Sequence, residues 1–222
     1  MDSTALYEAF RSEVRDDVAP YLWSDTEVYS YMDDAQKMFC RLQGGIADAT
    51  SPVTRISVAA GDVFVQISPT ILKLREARRS TDGRGLELLN FEDLQTNDFG
   101  ESQGHQLSSA PGPVRALVVG MEDYKLRLLS VPTEPLTIEL VVYRMPVNTV
   151  TAGGQVLEIA EQHHRYLLNW MKHLAHQKQD AETYDRGRSE MFREEFEGYC
   201  DRAKAERERR EHKYRTVTYG GY

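Results

Sequence analysis

The sequence predicts an α+β chain: a helical bundle built from N- and C-terminal helices, with an inserted antiparallel β domain and an extended C-terminal tail. Three observations predict it. Apolar residues recur every three to four positions near both ends of the chain, the middle third alternates apolar and polar residues between Gly and Pro turns, and residues 212–222 follow neither pattern. With 222 residues, the chain is long enough to bury about two thirds of its unfolded surface in a core. Its 41% hydrophobic and 28% charged content excludes a wholly disordered or collagen-like chain. The longest apolar runs, Leu117 to Val119 and Leu140 to Tyr143, fall far short of the roughly 20 residues that a membrane span requires. Met1-Asp2-Ser3-Thr4 lacks the basic stretch and apolar core of a secretory signal, so the chain is expected to stay where it is made.

Leu6, Phe10, Val14 and Val18 stand four apart and share one helical stripe, which predicts a helix over 3–19 with Pro20 as its stop. Ser24 and Glu27 form a capping box and Trp23 can staple against Val28, so a second helix should begin at Asp25. Its buried face would be Val28, Tyr31, Met32, Ala35, Phe39 and Leu42, and Gly44-Gly45 would close it in a left-handed conformation. After Pro52, Arg55 to Val58 and Val63 to Ile67 flank Gly61-Asp62 and predict a hairpin; Leu72 to Arg79 and Leu86 to Phe91 flank residues 81–85 and predict another. Residues 95–112, rich in Gly, Ser, Gln and Pro, are expected to form an exposed loop. Val114 to Val119, Tyr124 to Leu129 and Leu136 to Tyr143 resume extended patterning, with a turn at 120–123.

From Ala160 the helical period returns. Tyr166, Leu167, Trp170, Met171, Leu174 and Ala175 mark a helix to about Lys178; after a hinge near Asp180, Tyr184, Met191, Phe192, Phe196, Tyr199 and Ala203 mark a longer one over 181–210. At 1.5 Å per residue that helix would run roughly 45 Å. The expected parts are therefore an N-terminal helical pair (1–50), an inserted β domain (51–154), C-terminal long helices that complete the bundle (155–211) and a docking tail (212–222). Tyr214, Val217, Tyr219 and Tyr222 make the tail adhesive, because tyrosine brings a large contact area at low entropy cost.

The net charge is −8, unevenly distributed: residues 1–51 carry ten Asp or Glu against four Lys or Arg, and residues 202–215 carry three against seven. Unlike surfaces of this kind suit pairing between copies or with a partner more than general nucleic-acid binding. A nucleic-acid-binding helical protein using 202–215 is the alternative, and it predicts affinity that falls steeply with salt.

No catalytic, cofactor or metal site is expected. His163, His164, His173 and His176 share one helix with Glu161, but H-E-x-x-H spacing is missing, so hydrogen bonding outweighs a metal-dependent hydrolase. There is no phosphate-binding glycine loop, no nucleophile elbow and no dinucleotide fingerprint. Cys40 and Cys200 fall on or beside apolar helical faces and should be core thiols; Asp33-Asp34 and Glu194-Glu195 should be solvated helix charges.

Several stretches, in order, resemble the head-to-tail adaptor (connector) proteins of tailed bacteriophages, particularly of short-tailed phages. Ala5 to Gly44 is similar to the opening helical pair, and Ile71 to Asp93 to the family hairpin with its acidic turn. Val142-Tyr143-Arg144-Met145-Pro146 resembles the strand that ends in a Tyr-Arg-x-Pro step, and Leu157 to Cys200 with the Tyr-Gly-Gly at 219–221 is the most distinctive match. The resemblance implies a structural virion protein at the neck, assembled in the host cytoplasm. It would form a homo-oligomeric ring of about a dozen copies, a dodecamer, joining the portal protein to a tail or nozzle protein and passing DNA through its lumen. The helical part would face the portal and the β part the tail. The contact candidates for the portal or the next subunit are Arg207, Arg209, Arg210, Lys213, Tyr214, Arg215, Val217, Tyr219, Gly220, Gly221 and Tyr222.

Overall fold

The computed structural model describes residues 1–92, 110–180 and 182–211. It is mixed α+β, with four α-helices among the described residues and a curled, mostly antiparallel sheet. Contacts divide the chain into two compact units, one of Met1–Gly44 with Pro146–Tyr222 and one of Gly45–Met145. The sequence boundaries at 50/51 and 154/155 differ from these for a local reason in each case. Ile46–Asp48 (β1) pairs with the end of β8. Residues 150–155 bond to the helices instead: the Val150 amide donates to Asp33 at 3.0 Å and the Ser3 amide to the Gln155 carbonyl at 2.9 Å.

In the helical unit, α1 (Ser3–Val14) is capped by Asp2 and ends at Arg15, whose φ is 58°. The expected extension to residue 19 does not occur, and Val18 is 80% exposed rather than on the buried stripe. Pro20 is not the stop. The buried Asp16 carboxylate accepts from Arg11 and from the Leu22 amide at 2.9 Å, which turns the chain before proline is reached. The second helix, α2 (Asp25–Gln43), follows the sequence: Ser24 and Glu27 form both halves of the capping box and Gly44 closes the helix at φ 94°. Val28, Met32, Ala35 and Phe39 are buried, whereas Tyr31 and Leu42 are only partly so.

A single 3-10 turn (Glu161–His163) leads into α3 (His164–Gln177). Leu167, Trp170, Met171 and Ala175 are buried as expected; Tyr166 is exposed, and Leu168 takes a buried place. The last helix, α4, begins later than expected, at Arg186, and runs to Glu211. Its 26 residues make about 39 Å. Tyr184 and Met191 lie exposed off its packed stripe, which runs through Ser189, Phe196, Cys200 and Ala203. The helices bury Leu6, Phe10, Met32, Phe39, Leu167, Met171 and Phe196 between them.

In the β unit the strands are β1, β2 (Arg55–Val58), β3 (Phe64–Gln66), β4 (Ile71–Arg79), β5 (Gly85–Asn90), β6 (Ala116–Glu122), β7 (Lys125–Leu128) and β8 (Leu136–Arg144). Their order is β1-β8-β4-β5-β6-β7-β3, with β2 also on β8. Two expectations are corrected. First, β2 and β3 form no hairpin: β2 pairs with β8 and β3 with β7, an arrangement that buries Ile56, Val58 and Val65 in one shared core. Second, the unit is not wholly antiparallel, since β5 and β6 run parallel from Glu87↔Ala116 to Asn90↔Val119. The β4–β5 hairpin is present but pairs only at Ala77↔Leu86 and Arg78↔Gly85. The turn expected at 120–123 falls at Asp123-Tyr124, after β6 has continued through Gly120. Of the expected loop at 95–112, residues 95–109 lie outside the described residues.

Candidate interaction surfaces

Among the contact candidates, only Arg207, Arg209 and Arg210 fall within the described residues; Lys213, Tyr214, Arg215, Val217, Tyr219, Gly220, Gly221 and Tyr222 lie outside them. Arg209 and Arg210 are exposed on the last turn of α4. Arg207 turns inward. Its guanidinium donates to the Gln43 carbonyl at 2.5 Å, with Glu211 at 3.9 Å, and so satisfies an orphan acceptor at the end of α2. The same guanidinium fills the space where a Cβ on Gly44 would stand. Replacing Gly44 with alanine should therefore destabilise the helical unit by about 1–2 kcal/mol from the left-handed backbone alone, and more by displacing Arg207. Urea unfolding checks this, and Arg207→Ala should add less in the Gly44→Ala background than it does alone.

The opposite end of α2 carries a feature that the sequence reading placed inside a helix. Asp16 accepts from the Leu22 amide at 2.9 Å and the Trp23 amide at 3.4 Å, and Arg11 pairs with both Asp16 and, at 2.9 Å, Asp25. The Arg11 guanidinium also lies 4.2 Å from the Tyr21 ring centroid. This framework holds Val18, Tyr21 and Leu22 exposed on a fixed loop. An α2 of 19 residues puts that loop about 28 Å from Gly44. The signal in the sequence was Val18-Ala19-Pro20-Tyr21-Leu22, too apolar for an ordinary loop.

In the β unit, β4 and β5 diverge beyond their two pairs, and β5 goes on with β6. The divergence opens a cleft of about 450 Å³ lined by Ile67, Leu72, Leu74, Leu88, Val119 and Tyr124. Leu72 and Tyr124 are exposed on its rim, while Leu74, Leu88, Ile67 and Val119 extend the core of the sheet into it. Nothing in the linear sequence marks this cleft, because it arises where two strands part.

The histidines serve packing. His163 bonds the Tyr199 hydroxyl at 2.8 Å, and burial pushes its pKa below the usual range; burial likewise pushes Tyr199, stacked on Tyr166, up to about 12. His164 lies between the Met1 and Ile159 carbonyls at 2.8 and 2.9 Å. His173 and His176 do not converge, since His176 faces the Thr183 carbonyl at 3.3 Å. His173 Nδ1 lies 2.9 Å from the Ser189 carbonyl and 2.8 Å from its hydroxyl, and that hydroxyl reaches the His173 carbonyl at 3.1 Å. A carbonyl acceptor requires a protonated Nδ1, so this pair lacks the basic nitrogen that activates a serine nucleophile. No group of three or more His, Cys, Asp or Glu placed to hold a metal occurs among the described residues.

Cys40 and Cys200 are buried thiols, and desolvation pushes Cys200 up to about 12. Glu194 and Glu195 are exposed as expected, but Asp33 and Asp34 are not solvated charges. Asp33 accepts from the Val150 amide and Lys37, and Asp34 from the Trp170 indole at 2.8 Å. No described helix is long and apolar enough to cross a membrane.

The model of a family described as SU10 adaptor protein matches residues 1–218. No curated protein matches the chain.

Proposed function

The chain belongs to the SU10 adaptor protein family, and from that membership we propose that it is the head-to-tail adaptor of a phage particle, a structural protein of the virion neck. Copies form a ring of about a dozen; a contact between two unlike side surfaces continues past a dimer and makes a ring where its rotation closes. The ring joins the portal protein to a tail or nozzle protein and helps retain and pass the packaged DNA, with the helical unit toward the portal and the β unit toward the tail. The match over residues 1–218 carries this reading. Two separate apolar surfaces support it: Val18, Tyr21 and Leu22 in the helical unit, and the cleft in the β unit. Apolar side chains held out on a fixed loop mark a protein-binding surface. Nucleic-acid binding through 202–215 gains no support, since Arg207 is engaged with Gln43 and Glu206, Glu208 and Glu211 intersperse the stretch.

The tail is assigned to docking on the portal or the next subunit, together with Arg209 and Arg210. Deleting residues 212–222 should leave the far-ultraviolet circular dichroism and the unfolding midpoint unchanged while abolishing ring or portal binding. Negative-stain images of the truncated chain mixed with portal read the outcome, and rings as numerous as those of the full chain would refute the assignment.

A further inference from the structure

We propose that the β-unit cleft receives residues 213–219 of a second copy, added as a strand along the open flank of β4. The inference rests on the adaptor reading, because only an assembly of copies presents a second tail. Among the described residues, the flank of β4 that turns toward β5 is paired only at Ala77 and Arg78. Ile71–Glu76, six residues, gives a flank of about 20 Å, which six or seven extended tail residues span. An added strand draws affinity from main-chain hydrogen bonds and specificity from alternate side chains.

The tail has the composition for it. Thr216-Val217-Thr218-Tyr219 is its most strand-prone stretch, and in a strand Val217 and Tyr219 point to one side while both threonines point to the other. The floor of the cleft, Ile67, Leu74, Leu88 and Val119, is apolar and already continuous with the core of the sheet, and its lining includes Glu122 and Asp123, so Val217 and Tyr219 meet the floor, Lys213 and Arg215 on the same side of the strand meet the two carboxylates, and the threonine side meets water.

The point of departure also suits it. Arg207 ties α4 to the Gln43 carbonyl, so the tail leaves from the end of the helical unit where the chain itself passes through Gly44-Gly45 to β1. Its 11 residues then reach about 36 Å. A tail on one copy and a cleft on the next are unlike surfaces of one chain, which is the head-to-tail contact that propagates around a ring.

The test mixes two full-length variants, Val217→Cys and Leu72→Cys, in assembled particles under mild oxidation; Cys40 and Cys200 are buried and give little background. A disulfide-linked dimer should form from this pair about tenfold more than from Val217→Cys with Val18→Cys. Assembled particles without that dimer overturn the inference. So does a link confined to single copies that carry both Val217→Cys and Leu72→Cys when these are diluted among unsubstituted chains.

A synthetic peptide of residues 212–222 gives an independent measure on the full chain. Its binding should weaken about tenfold or more on Val217→Asp in the peptide or Leu74→Lys in the chain, the effect of losing one buried aliphatic contact. A peptide that does not bind, or that binds Leu74→Lys equally well, also overturns it. If removing the tail abolishes assembly but no cleft link forms, this inference falls and the adaptor reading stands. If tailless chains do not join portal even when a cleft link is seen between full chains, the inference stands and the portal contact lies in the tail as well.

Discussion

Replacing Asp16 with alanine should lower the stability of the helical unit by about 3–5 kcal/mol, the range for removing one partner of a buried ion pair. The side chains of Arg11 and Asp16 are 5% and 3% exposed, so neither charge can turn to water when its partner is lost. Arg11 would keep Asp25 and Tyr7, but Asp25 is largely exposed and its attraction is screened. The carboxylate also accepts from the Leu22 and Trp23 amides, and two donors at the entrance to α2 would lose their acceptor together. Asp16→Asn keeps an acceptor for the amides without the charge and should fall between alanine and wild type. Urea unfolding at constant m-value measures the loss, and hydrogen exchange at the Leu22 and Trp23 amides locates it. A change below about 1 kcal/mol in the alanine variant would show that the network carries no net stability.

How far the sequence disclosed this fold depended on whether the deciding interaction was local. The start of α2 was legible because Ser24 and Glu27 lie three apart and satisfy each other's backbone. Its close at Gly44 was legible for the same reason: a left-handed residue needs no partner from afar. The end of α1 was not, because it is set by the reach of Asp16 forward to Leu22 and back to Arg11, and a stripe of four-apart apolar residues ran through it as far as Val18. Strand existence was legible in the β unit for every strand but β1, whereas of the pairings only the β4–β5 hairpin was read correctly and the β2–β3 hairpin was not. Gly61-Asp62 has the chemistry of a hairpin turn, yet β2 and β3 go to different partners, which only the burial of Ile56, Val58 and Val65 in one shared core decides. The parallel pairing of β5 with β6 depends on a long connection whose course no local pattern reports. The interaction surface divides in the same way. A run of arginines on α4 marks a basic end, but which of them faces inward depends on the carbonyl of Gln43, distant in sequence.

Acid should loosen the β unit through Asp48. Its carboxylate accepts from the Thr50 and Ser51 amides at 2.9 and 3.1 Å and from Arg144 Nε at 2.5 Å. Burial acts to raise the carboxyl pKa, but the bonds from Arg144 and the two amides outweigh it and hold the group well below the usual carboxylate range. A carboxylate whose folded pKa is depressed contributes stability that is complete above its unfolded value, about 3.9, and is lost as pH falls below that value toward the folded one. The stability of the wild-type β unit should therefore decline from about pH 4 downward.

Asp48→Ala removes the contribution at every pH and should cost about 3–5 kcal/mol at neutrality, since it takes the Asp48 carboxylate away from an Arg144 side chain that is only 10% exposed. The position magnifies the effect. Arg144 pairs through its backbone with Ile46 of β1 and Ile71 of β4, and Gly45 packs so closely on the Arg144 main chain that a Cβ there would lie 3.0 Å from its amide nitrogen. A shifted Arg144 thus disturbs two strand pairings and the residue at which the chain enters the unit. Urea midpoints of the wild type and Asp48→Ala, measured from pH 7 to pH 2, should converge as the pH falls, because protonation does in the wild type what the substitution has already done in the variant. Parallel curves over that range would mean that Asp48 is not held as an anion by Arg144, and the pairing at the end of β8 would need another source of stability.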